Sequence, residues 1–209
     1  EEQNEAYKKI AGKTINVSWT DFMGNDRDVR YRVPNVNQCK ECHAAEDKIT
    51  PIGPKARNLN KKFEFNEGEF NQLTYWMNRQ IIDDYPLELV SPVDWTDDNQ
   101  NINDRVRSYL DVNCGHCHSP TGNANSTGLY LHLDETRDIH LGLYKKPVAT
   151  GRGSGGLKYS IVPGKPDESI LLHRMVSLDP GVMMPESGRA LSHTEAVEMV
   201  REWILVMED

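Results

Sequence analysis

Four cysteines and the histidines beside them are the residues whose types and spacing point most directly to chemistry. All four lie in two copies of one pattern, Cys39-Lys40-Glu41-Cys42-His43 and Cys114-Gly115-His116-Cys117-His118. Two thiols three residues apart can each form a thioether to one vinyl group of a porphyrin, and the adjacent imidazole then lies under the iron. The pattern therefore predicts two covalently attached haem c groups, with His43 and His118 as iron ligands.

The same thiols allow three other interpretations, and each fits less well. A four-thiolate zinc site built from both pairs would not require a histidine after each pair. A redox dithiol of the thioredoxin type needs a strand-helix-strand setting that neither segment shows, and a disulfide within either motif would span only two intervening residues. Two motifs that use every cysteine in the chain favour haem attachment.

Charge and hydropathy exclude several classes of function. The chain has 24 Lys and Arg against 32 Asp and Glu, a net charge of −8, which disfavours nucleic-acid binding. Such a surface either keeps the protein in solution or attracts a basic redox partner. No apolar run has the length of a membrane span, and the first residues, EEQNEAYKK, carry no signal-peptide core. We therefore expect no membrane span and, if the chain is exported, a leader already removed.

The second motif lies within a clear series of predicted helices. Residues 104–112 form a short amphipathic helix that leads into it, and residues 167–176 form another. A turn over 180–185 then carries Met183 and Met184. The last helix opens with a capping box, Ser192 to Glu195, and its apolar stripe should face the core. The stripe consists of Ala196, Met199, Val200, Trp203, Ile204 and Met207.

This order of helix, C-x-x-C-H, loop, methionine-proline loop and C-terminal helix resembles the class I c-type cytochromes over residues 104–207. The resemblance implies a helical haem domain in which Met184 is the sixth iron ligand. A thioether is a soft ligand, and beside a histidine it raises the reduction potential. Met183 is the alternative, and Met175 and His173 are further candidates whose simpler role is packing.

The loop over residues 151–156 formally matches the dinucleotide fingerprint G-x-G-x-x-G. That fingerprint must follow a strand and open a helix, whereas the residues after this one, 157–162, are predicted to be extended and end at Pro163-Gly164. We interpret it as a flexible loop.

The first half is less regular. Residues 15–19 and 29–33 alternate as two strands around a turn at 24–26, which predicts a small hairpin packed on the haem domain. The segment after His43, residues 52–59, is similar to the Gly-Pro-x-Leu segment of class I cytochromes. That resemblance implies that the carbonyl of Pro54 accepts the free N–H of the His43 imidazole and so orients the ring.

A sixth ligand for the first haem is harder to assign. Residues 69–82 have helical spacing, with Phe70, Leu73, Met77 and Ile81 on one face. Met77 is then either a core residue or the sixth ligand, and Met23 in the hairpin turn is its rival. Without either, the first iron has an open position, where chemistry other than electron transfer can occur.

The segment 84–103 separates the two motifs and is rich in acids, amides and proline. We place a domain boundary near residue 92, which gives domains 1–92 and 93–209. The acids Asp94, Asp97, Asp98 and Asp104 are candidates for calcium binding, but the EF-hand spacing is absent and a solvated linker is the favoured interpretation. The predicted fold class is mainly α, with two cytochrome c-like helical haem domains and a small β-hairpin near the N-terminus.

The whole chain resembles bacterial two-domain dihaem cytochromes, notably in the segment PIGPKARNLN. The resemblance implies single-electron transfer between redox partner proteins outside the cytoplasm, in the periplasm or at the cell exterior. The alternative is a dihaem enzyme, such as a peroxidase, with an open site at the first haem. A third interpretation is that the chain is the cytochrome portion of a longer exported protein.

Overall fold

The first half opens with an antiparallel hairpin. The computed structural model describes residues 4–5, 7, 9–21, 24–45 and 48–208. Strands β1 (Lys13–Thr20) and β2 (Asp26–Val33) pair so that Val17 lies opposite Val29. Alternating β-branched and polar residues suit such a two-stranded surface. The predicted N-terminal hairpin is confirmed, while its packing on a haem domain stays a prediction.

Short elements follow the hairpin. In chain order they are α1 (Val36–His43), β3 (Ala44–Ala45), β4 (Lys48–Ile49), α2 (Ala56–Leu59), β5 (Lys62–Phe65), β6 (Gly68–Asn71) and α3 (Gln72–Asn78). The strands form two further antiparallel pairs, β3 with β4 and β5 with β6. Among the described residues before position 100, Leu73 is the one buried hydrophobic side chain.

The second half is helical around one core. It contains α4 (Ile102–Asn113), α5 (Asp138–Leu141), α6 (Ile170–Val176) and α7 (Thr194–Leu205), joined by long loops. Helices α4, α6 and α7 meet, and their buried faces carry Val106, Leu110, Leu172, Val200 and Ile204, among others. The three helices predicted from apolar spacing and the core-facing stripe of the last one are therefore confirmed.

The predicted fold class is wrong. Helices make up 32% of the structure and strands 16%, so the protein is a mixture of α and β and not a mainly α pair of cytochrome c-like domains. The difference lies in the first half, where alternating segments such as KFEF and GEFN pair as hairpins. Helical spacing of a few apolar residues does not prevail where a turn lets two such segments pair.

Two local expectations also need correction. The helix predicted over 69–82 spans only Gln72–Asn78, because its first residues belong to β6 and Asn71 caps the helix by accepting from the Leu73 and Thr74 N–H groups. The capping box predicted at Ser192 is absent, since the N-terminal cap of α7 is His193 and makes no side-chain capping bond.

The segment between the halves is irregular. Its carboxylates serve local turns: Asp94 accepts from Thr96, and Asp97 accepts from Asn99. Asp98 pairs with Arg105 at 2.6 Å. Among the described residues, the carboxylates of this segment do not cluster as calcium ligands would. Within the described residues, no helix has both the length and the apolar composition of a transmembrane segment.

The two halves contact each other through a buried ion pair. Arg57 in α2 donates to Asp111 in α4 at 2.5 Å, and the Asp111 side chain is 0% exposed. The carboxylate also accepts from the Leu133 N–H at 3.0 Å, and Lys55 lies 3.6 Å away. The domain boundary near residue 92 stays a prediction, but this ion pair between α2 and α4 links the two halves.

Candidate metal and cofactor site

The first motif lies on helix α1. Asn35 and Gln38 form a reciprocal capping box at its start, with both hydrogen bonds 3.0 Å long. Residues spaced three and four apart share one face of a helix, so Cys39, Cys42 and His43 lie together. Cys39 and His43 are exposed, and α1 buries no side chain.

The second motif follows α4 as a tight turn. The His118 N–H donates to the Cys114 carbonyl at 2.9 Å, which places the imidazole one turn from the first thiol. The backbone packs closely here, because a Cβ on Gly122 would lie 2.2 Å from the Cys117 carbonyl oxygen and one on Gly115 would lie 2.8 Å from the Asp111 carbonyl oxygen. Two glycines therefore let the chain fold back on its own cysteines.

The His118 imidazole is half-buried against the second half. Burial lowers its pKa to about 4, while a hydrogen bond with the Leu129 backbone opposes that shift. Its Nδ1 is buried and has no hydrogen-bond partner among the described residues. A buried ring nitrogen without a partner is costly, and it is the kind of atom that a metal would satisfy. Burial likewise raises the pKa of the Cys114 thiol to about 12.

The structure brings the two motifs together. Ligand atoms of Cys42, His116 and Cys117 all lie within 4.8 Å of one another. A hydrogen bond with Cys117 lowers the pKa of the Cys42 thiol, helped by His116, and the same bond raises the pKa of Cys117. Asn123 joins the motifs further by donating to the Glu41 carbonyl at 2.5 Å.

The methionine loop lies against both motifs. Ser187 donates to the Glu41 carboxylate at 2.8 Å, and Glu186 is close enough to raise the pKa of Cys117. Met183 is buried at 7% exposure, whereas Met184 is half-buried. Met183 and Met184 thus differ in exposure, but which of them is the sixth ligand stays a prediction.

Two arginines hold this loop in place. Arg189 donates to the carbonyls of Met184 at 2.6 Å and Met175 at 2.8 Å, and also to that of Ser177. Arg174 donates to the Val182 carbonyl at 2.8 Å. Met175 itself is packed in the core, as its simpler interpretation required, and His173 is half-buried.

The candidates of the first half are more scattered. Pro54 is exposed, and no hydrogen bond joins it to His43 in the described part of the chain, so its role stays a prediction. Met77 is 37% exposed, in contrast to the inward orientation expected for it. Met23 lies outside the described residues.

The glycine-rich loop does not have the dinucleotide-binding form. Gly151–Ser154 is one turn of 3-10 helix, and Gly155 and Gly156 follow with positive φ. In the described part of the chain no strand leads into this loop and no α-helix follows it directly, which agrees with the rejection of the dinucleotide fingerprint.

Sequence reasoning missed two residues of this region. His116 occupies a variable position of the second motif, and only its position beside Cys42 reveals a ligand. Leu129 contributes its backbone to His118, and the loop that does so carries no recognisable pattern. The signal that was available for His116 is its residue type, an imidazole between two cysteines.

Comparison with known proteins adds no identification, because no family model, curated protein or solved structure matches this chain. The haem interpretation is therefore judged on the donor set. Each motif presents two thiols and an imidazole on one helical turn, and His118 keeps a buried nitrogen without a partner. These residues fit a covalently attached haem.

Proposed function

We propose that this protein is a dihaem c-type cytochrome that passes single electrons between redox partner proteins outside the cytoplasm. The observation that carries the proposal is the second motif, where thiols and imidazole share one turn and His118 has a buried Nδ1 without a partner. The acidic surface favours basic partners.

The residues that would hold the haems are the motif residues themselves: Cys39, Cys42 and His43 for one, and Cys114, Cys117 and His118 for the other. Each thiol adds across a vinyl double bond, the sulfur bonding one carbon and the hydrogen going to the other, so no atom is lost. When bound, each haem supplies an iron that cycles between its ferrous and ferric states. The protein half-buries His118 and leaves His43 exposed.

Met184 is the proposed sixth ligand at the second haem. Its support is the loop that carries it, which Arg189 and Arg174 hold through backbone carbonyls and which contacts the first motif through Ser187. A loop anchored at several carbonyls loses little conformational freedom when its side chain binds.

The alternative function is a dihaem enzyme that reacts with a small oxidant at the first haem. The exposure of His43 and Met77 favours it, because an iron beside His43 would be open to solvent and to small molecules. A five-coordinate iron can bind such molecules, whereas a six-coordinate one is suited to electron transfer.

The test is the haem content and spectrum of the protein produced with a haem-attachment system. We expect two haems per chain, low-spin spectra in both redox states and a methionine-iron charge-transfer band. Replacing Cys39 and Cys42 by Ser should remove one haem and keep that band, and the same change at Cys114 and Cys117 should remove the band. A high-spin component would favour the enzyme, and a colourless zinc protein would overturn haem binding altogether.

A further inference from the structure

Three side chains from the two motifs form a cluster that haem attachment does not explain. Ligand atoms of Cys42, His116 and Cys117 lie within 4.8 Å of one another. A tetrahedral zinc ion with zinc-sulfur bonds of about 2.3 Å separates its sulfur ligands by roughly 3.8 Å. Side-chain rotation therefore suffices to bring the three ligands onto one ion.

His116 is the residue that distinguishes this cluster from a chance contact of cysteines. A haem motif accepts any residue at this position, so attachment does not require an imidazole there. Its Nδ1 is buried and has no hydrogen-bond partner among the described residues. Two thiolates and an imidazole are the ligands that zinc and similar thiophilic ions prefer.

We propose that the haem-free chain binds one thiophilic divalent cation through Cys42, His116 and Cys117, with the fourth position left to solvent. Because the site uses one cysteine of each motif, a bound ion withholds a thiol from both attachment reactions. Metal binding and complete haem attachment are then mutually exclusive, a consequence that rests on the proposed function. The metal site itself does not rest on it.

The geometry separates this site from a four-thiolate zinc site. Cys39 is exposed, and neither it nor Cys114 joins the cluster in the described part of the chain. The two motifs are joined at this point by other contacts, since Cys117 donates to the Glu41 carbonyl at 3.6 Å and Asn123 donates to it as well. The three ligands are thus held near each other before any ion arrives.

The experiment uses the full chain produced without haem attachment, kept reduced and titrated with Co²⁺ and then Zn²⁺. We expect one Co²⁺ per chain, with a thiolate charge-transfer band that one equivalent of Zn²⁺ abolishes. His116→Ala and Cys42→Ser should each weaken binding at least tenfold. Cys39→Ser and Cys114→Ser are the matched controls and should leave the affinity within about twofold.

Several outcomes would overturn the site. They are the absence of a thiolate band, equal loss of affinity in Cys39→Ser and Cys42→Ser, and unchanged affinity in His116→Ala. Circular dichroism of each variant separates a lost ligand from a lost fold, and His116→Ala retains every thiol. Haem content, measured independently on the protein made with an attachment system, separates failure of the metal site from failure of the proposed function.

Discussion

The two C-x-x-C-H motifs have the same residues at their reactive positions but lie in different surroundings. Helix α1 carries the first motif, buries no side chain and leaves His43 exposed. The second motif follows α4, whose buried face belongs to the core, and its histidine is half-buried with a buried Nδ1. The same reactive residues therefore lie on an exposed helix in the first motif and beside the core in the second. The second site should be the more rigid of the two.

The ion pair between Arg57 and Asp111 should be the strongest stabilising contact between the two halves. Asp111→Ala removes the buried partner of the half-buried Arg57 and leaves it only the exposed Asp134, and breaking a buried pair costs about 3–5 kcal/mol. Urea unfolding should show this loss. Asp134→Ala is the control, because Asp134 also pairs with Arg57 but its side chain is 67% exposed, and the expected cost is below about 1 kcal/mol. Equal costs would show that α2 does not depend on Asp111.

The same pair predicts a pH dependence. Burial raises the pKa of the Asp111 carboxyl, but hydrogen bonds from Arg57 and the Leu133 N–H outweigh it and the net shift is downward. Its contribution is therefore complete above the unfolded pKa of about 3.9 and is lost as the pH falls through the lower folded value. Urea unfolding from pH 6 to pH 2 should show a smaller acid loss of stability in Asp111→Ala than in the unmodified protein.

The methionine loop allows a test of the second half alone. Arg189→Ala removes charged hydrogen bonds to three carbonyls, each worth about 1.5–3 kcal/mol. We expect a loss of about 2–3 kcal/mol, less than the sum, because the three bonds share one guanidinium and their contributions do not add. The methionine-iron band should weaken if Met184 is a ligand. Arg152→Ala, whose side chain is 69% exposed, should change neither quantity. An unchanged band in Arg189→Ala would show that Arg189 does not position the methionine ligand.

Replacing one glycine near each motif tests how tightly the two regions are packed. Gly122→Ala places a Cβ against the Cys117 carbonyl, and relief of such a contact costs about 1–3 kcal/mol. Gly53→Ala, beside Pro54 in the first half, meets no atom within 4 Å and should have almost no effect. Thermal unfolding of the pair measures the difference. A destabilised Gly53→Ala would show that the first motif region is packed more tightly than its exposure indicates.

Helix caps supply the smallest and most local comparison. Asn35 caps α1 and Asn101 caps α4, and replacing either by Ala removes a capping bond worth about 1 kcal/mol. Asn101→Ala should lower global stability, since α4 belongs to the core. Asn35→Ala should instead increase hydrogen exchange within α1 and leave the unfolding midpoint nearly unchanged. A large global effect of Asn35→Ala would contradict the weak support inferred for the first motif.

The sequence predicted the second half more accurately than the first. Apolar spacing located α4, α6 and α7 because these helices bury long stripes such as Val106 to Leu110 in a shared core. The spacing failed over 69–82, where Phe70 pairs across a hairpin with Phe63 and Asn71 starts the helix later. Short, mostly exposed elements bury too little for periodicity to decide their structure.

The sequence by itself determined the two C-x-x-C-H motifs, their spacing on one helical turn and the helices of the second half, because all of these depend on residues near each other in the chain. Only the tertiary structure decided that Cys42 meets His116 and Cys117 and that Arg57 pairs with Asp111. These contacts join residues far apart in the chain, and no local pattern specifies which distant partner a side chain will meet.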